Sequence, residues 1–154
     1  MTDTRSWSGT VAFLNTPTVD GRVLKMSTLP TGKLPLALYA PGGSSYGLWW
    51  REATRPIGMN GLGWVGGVYE TEIHGDEVRA AGFIRLDFVA EVLRERLLAG
   101  ESVGVAIDVD GITTNESTGS APPAFTQATL RRLTISDNPA WTASRITLVP
   151  EALS

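Results

Sequence analysis

The chain has 154 residues, enough for one domain with a hydrophobic core of its own, and its lack of cysteine excludes a disulfide framework and thiolate chemistry. Its 13 Lys and Arg against 16 Asp and Glu give a formal charge of −3, and Arg131-Arg132 is the only adjacent basic pair, so nothing points to nucleic acid. The N-terminus, MTDTRSWSGT, lacks the apolar core of a signal peptide, and no apolar run approaches the length of a membrane span.

Short alternating segments dominate. Ser8 to Leu14 reads as a first strand, followed by a loop, NTPTVDGR, in which Asp20-Gly21 signals a turn. LPLALY, Leu34 to Tyr39, reads as a second strand, with Pro35 at an edge or a strand start. A Gly/Ser-rich loop then carries YGLWW at Tyr46 to Trp50. Trp64 to Ile73 and Glu77 to Ile84 flank His74-Gly75-Asp76 and predict a hairpin.

One helix is expected. Asp87 is placed to cap FVAEVLRERLLAG, Phe88, Val89, Val92, Leu93 and Leu97 share a face, and Gly100 is a natural stop. A strand over Val103 to Val109 follows, then a polar loop, GITTNESTGSAPP, expected to be mobile. Thr129 to Ser136 and Arg145 to Val149 close the chain as strands around NPAWTAS. The sum is a strand-rich α+β fold, most simply a partly closed β-barrel.

Few residues carry obvious chemistry. His74 is the only histidine, so a serine enzyme built on imidazole must use it, yet a solvated turn residue is the ordinary reading at a hairpin tip. Ser102 follows the helix stop, where a turn serine is common, and a nucleophile needs a base within reach. Glu70, Glu72, Asp76 and Glu77 cluster around the hairpin and read more simply as a solvated face than as a cation site. A single histidine without cysteine argues against zinc. The glycine-rich pieces match neither a Walker nor a dinucleotide fingerprint. Tyr46, Trp49 and Trp50 stand off any periodic core face, which makes them candidate partner-binding residues, unless they fold back on the domain's own core.

In order, WSGTVAFLNTPTVDGR, LPLALY, GMNGLGWVGGVYETEIHGDEVRAAG, the helix with GVAIDVDG, and LRRLTISDNPAWTASRI resemble the tailed-phage prohead (capsid maturation) protease family, related in fold to the herpesvirus assemblin proteases. The resemblance covers nearly the whole chain and implies a single domain over residues 1–154, a small β-barrel flanked by helices. It puts Met59 where the family has its catalytic histidine and Ala106 where it has its nucleophilic serine. Arg132 falls where some members carry an acid, seven positions before Pro139. Ser102 precedes Ala106 by four residues, about 13 Å at strand rise, too far to substitute for it in place.

The implied protein is a degenerate protease and not an enzyme, because neither thioether nor methyl can replace imidazole and hydroxyl. PGGSSYGLWWREATRP reads as an insertion beside the lost histidine, and the chain stops soon after SRITLV. The expected role is a minor capsid or decoration component of the virion, made in the host cytoplasm and bound to the phage major capsid protein. No cofactor, metal, nucleic acid or membrane is expected, and a homo-oligomer stays open. Three alternatives remain: an assembly scaffold absent from the mature particle, an active serine endopeptidase relocated to Ser102 and His74, and a host binding module sharing only the barrel.

Overall fold

The computed structural model describes residues 4–41, 62–114 and 124–150. The strands are β1 (Thr4–Phe13), β2 (Val23–Leu24), β3 (Leu36–Pro41), β4 (Leu62–His74), β5 (Glu77–Arg85), β6 (Val103–Thr114), β7 (Ala124–Ile135) and β8 (Arg145–Leu148). A 3-10 turn (Leu86–Phe88) and one α-helix, α1 (Glu91–Leu98), connect β5 to β6.

Seven strands run β7-β3-β4-β5-β1-β8-β6 and then back to β7, so the barrel closes fully rather than partly. The expected flanking helices reduce to α1 among the described residues. Neighbours pair antiparallel except where β7 runs parallel to β3 and to the two-residue β2. No helix among the described residues is long and apolar enough to cross a membrane.

Alternation directs the side chains. Leu36 and Leu38, Val78, Ala80 and Ile84, Val103 and Val105, and Leu130, Leu133 and Ile135 are buried in one core. Trp7 lies fully buried among them and donates its indole N–H to Phe83 O at 2.9 Å, leaving no orphan donor. Burying a ring of that size is worth roughly 4–6 kcal/mol by area. The indole also explains Gly82, directly opposite Trp7: a Cβ there would overlap the Gly67 carbonyl oxygen and lie 2.9 Å from the Trp7 ring.

The expected hairpin is present, with His74 paired to Glu77 and a two-residue loop opened by Gly75 at φ +63°. That conformation suits glycine at the first position of a tight hairpin turn. The Asp20-Gly21 turn is also present, with Gly21 at φ +90°.

The helix starts later than the sequence suggests. Asp87 caps nothing: Arg85 clamps it through two bonds, at 3.1 and 2.8 Å, and Ala90 is the N-cap. That guanidinium holds the Asp87 carboxyl below its usual range. Because the helix begins at Glu91, Val92 turns to solvent, while Val89 and Leu97 remain buried. Gly100, at φ +85°, ends the element as expected. β6 runs on to Thr114, past the expected loop start, because Gly111 at φ +62° takes up a register shift against β7.

Ser144 is buried outright, and its hydroxyl meets no hydrogen-bond partner among the described residues. An unmade bond at such a group costs about 1–3 kcal/mol. Ser144→Ala is therefore expected to raise unfolding free energy by about 1 kcal/mol in urea titrations. Gly82→Ala should lower it by at least about 3 kcal/mol, since both obstructing groups belong to the packed wall.

Candidate functional site

Two of the motif-matched positions, Ala106 and Arg132, lie on the outer wall of β6, β7 and β3. Ala106 pairs with Thr134 and Asp108 with Arg132, while across β7 Tyr39 pairs with Thr134 and Ala37 with Arg132. Val105 points into the core, so Ala106 points out, as does Asp108 two residues on. Ala106 and Arg132 thus meet diagonally on one face, at a Cα spacing of roughly 7–8 Å. Met59 lies outside the described residues, as do Tyr46, Trp49 and Trp50.

A bulge shapes this wall. Asp108 faces Arg132 while Val109 faces Leu130, so Arg131 has no opposite residue. The extra residue turns both arginines outward, where the alternation of β6 presents Asp108 and Asp110. Arg132 Nε lies 2.9 Å from Asp108 Oδ2, and Arg131 Nε lies 2.6 Å from Asp110 Oδ1. Exposed pairs of this kind contribute about 0–1 kcal/mol each, so they set the character of the wall more than its stability. The Arg132 guanidinium also sits 5.6 Å from the Tyr39 ring centroid. Thr134 Oγ1 reaches Asp108 Oδ2 at 3.5 Å, the outer limit of a hydrogen bond.

At the position matched to a nucleophile there is therefore a methyl group beside a hydroxyl and a carboxylate already engaged by a guanidinium. Sequence reasoning missed Thr134 and Asp108. Their signal was available, since Ala106 and Asp108 share strand parity within GVAIDVDG, but Thr134 needed the β6–β7 register.

The structure does not bring Ser102 and His74 together. Ser102 Oγ accepts from Arg145 Nε at 2.6 Å, and Arg145 also donates to Ser102 O at 2.7 Å. His74 Nε2 lies 3.3 Å from Glu72 Oε2 on β4, which is three strands from β6 by the shorter way round the barrel. The carboxylates of the hairpin are likewise dispersed. Glu77 accepts from Thr10 at 3.0 Å, Asp76 from Asn15 at 3.1 Å, and no group of three potential metal ligands gathers among the described residues.

A second feature lies where β6 outruns β8. A cavity of about 100 Å³ opens there, lined by Ile107, Val109, Leu24, Phe125, Ala140 and Trp141, with Thr18 and Arg22 as its polar members. Trp141 is fixed by its indole N–H, which donates to Thr16 O at 2.9 Å. The turn beside the cavity is pinned by Asp20, which accepts from the Thr18 hydroxyl and from Arg22.

No family model matches this sequence, and no curated protein or solved structure matches it either.

The Thr18 hydroxyl, then Arg22, hold the Asp20 carboxyl down from the usual 3.8 to about 2. The folded value is the depressed one, so the turn's stabilisation is complete above the ordinary carboxylate value and disappears as pH falls through about 2. An NMR titration should place the Asp20 midpoint near 2 in the unaltered protein, and Thr18→Val should move it back up toward 3.8.

Proposed function

We propose that this chain is a protease-derived bacteriophage head protein that no longer cleaves peptide bonds and acts as a minor capsid or decoration component bound to the major capsid protein. The observation that carries the reading is the meeting of Ala106 and Arg132 on one outer face of paired strands. Motif order matched one of these positions to the family's nucleophile and the other to an acid that some members carry, and the two are neighbours in space. What occupies them argues for inert material: a methyl cannot attack a carbonyl, and Arg132 is engaged with Asp108. A nucleophile and its base act as a unit, and loss of either removes most of the rate.

One observation favours a second reading, an active endopeptidase with a displaced nucleophile. Thr134 places a hydroxyl opposite Ala106 and within 3.5 Å of Asp108. Against it, the same carboxylate oxygen already accepts from the Arg132 guanidinium at 2.9 Å, a closer and better hydrogen bond than the 3.5 Å contact with Thr134.

Incubating the purified protein with capsid precursor separates the two. The proposal expects the precursor to stay intact, as in buffer, and the protein to sediment with assembled shells. Cleavage abolished by Thr134→Ala or Ser102→Ala would overturn it.

A further inference from the structure

The barrel wall has one seam where hydrogen bonding stops. β6 pairs with β7 along its length, but with β8 only at Val103 and Gly104. Val105 N–H donates to Ser144 O at 2.9 Å, and there the neighbouring chain leaves the edge. Gly104 O, one residue earlier, accepts from Ser136 N–H on the β7 side. Strand alternation then turns the N–H and C=O groups of Ile107 and Val109 to the β8 side, where no backbone group of the described residues pairs with them. Both residues are half-buried, and their side chains line the cavity of about 100 Å³.

We propose that this edge binds an extended peptide segment of another protein by strand addition, the incoming backbone taking up the line that β8 leaves at Ser144. The chemistry selects such an occupant. Backbone donors and acceptors repeating at strand spacing call for a partner with the same repeat, and an apolar recess beside them calls for a side chain at every second position. A cavity of about 150 Å³ accepts benzene, so one of about 100 Å³ suits a single branched aliphatic side chain.

Charge narrows the choice further. The outward positions beside the edge are Asp108 and Asp110, each paired with an arginine on the β7 side and half-exposed toward the seam, so a second copy pairing β6 against β6 about Val109 would bring the two carboxylates of each copy against those of the other. A partner with lysine, arginine or threonine at its outward positions meets no such repulsion. The occupant is thus a strand of another protein, aliphatic inward and basic or hydroxylic outward. The inference stands on the seam and does not depend on the head-protein reading.

The probe is the blocked heptapeptide Thr-Val-Lys-Leu-Lys-Val-Thr, titrated into the full chain and followed by NMR and amide hydrogen exchange. Saturable binding is expected, with exchange at Ile107 and Val109 slowed at least about tenfold. N-methylating alternate residues of the peptide should weaken binding at least about tenfold with the protein unaltered, since hydrogen bonds to the edge are lost. Ala140→Leu, which fills the recess, should weaken it similarly. Three results would each overturn the proposal: no saturable binding, equal binding of the N-methylated peptide, or undiminished binding to a folded Ala140→Leu protein. Protection of Ile107 and Val109 that grows with protein concentration and without peptide would assign the edge to a second copy instead, and would also overturn it.

Discussion

The barrel depends on β7 being paired along both edges. One edge takes β6 antiparallel from Val105 to Thr114, and the other takes β3 and β2 in parallel. Without the parallel contact the sheet would be open, with β3 and β7 presenting free edges to solvent. Parallel pairing of strands so distant in sequence carries a loop-closure cost, which the buried faces of Leu130, Leu133 and Ile135 must repay. Alternation then places everything that faces outward from β7, including Arg132 and Thr134, on the wall beside Ala106.

This division of faces explains why the outer wall of β6 and β7 carries paired charges. The bulge at Arg131 sends two arginines outward, and Asp108 and Asp110 meet them one for one. Among the described residues, backbone groups left without a strand partner lie instead at the seam where β8 ends and β6 continues. Both proposals follow from one pattern: side chains satisfied on the face, backbone unsatisfied at the edge.

Much of the fold was legible in the sequence, for local reasons. The β4–β5 hairpin followed from alternation on both sides of His74-Gly75-Asp76, and the helix stop followed from Gly100. Where the reading failed, a neighbour outcompeted a propensity. Asp87 is a good cap by type, but Arg85, two residues away, reaches it first, and the later start turns Val92 out. Barrel closure and β2 were invisible because parallel pairing leaves no local mark. Of the candidate site, the resemblance singled out Ala106 and Arg132 separately, and their adjacency came only with the β6–β7 register. Thr134 and Asp108 carry no local mark of their pairing, because only the β6–β7 register sets them beside Ala106 and Arg132.

The most direct test of the proposed head-protein role is a mass-spectrometric inventory of purified virions from a phage whose genome is found to carry the sequence. The account predicts the intact protein in the particle at a fixed ratio to the major capsid protein. Its absence from mature particles would contradict that prediction and leave the capsid role without support.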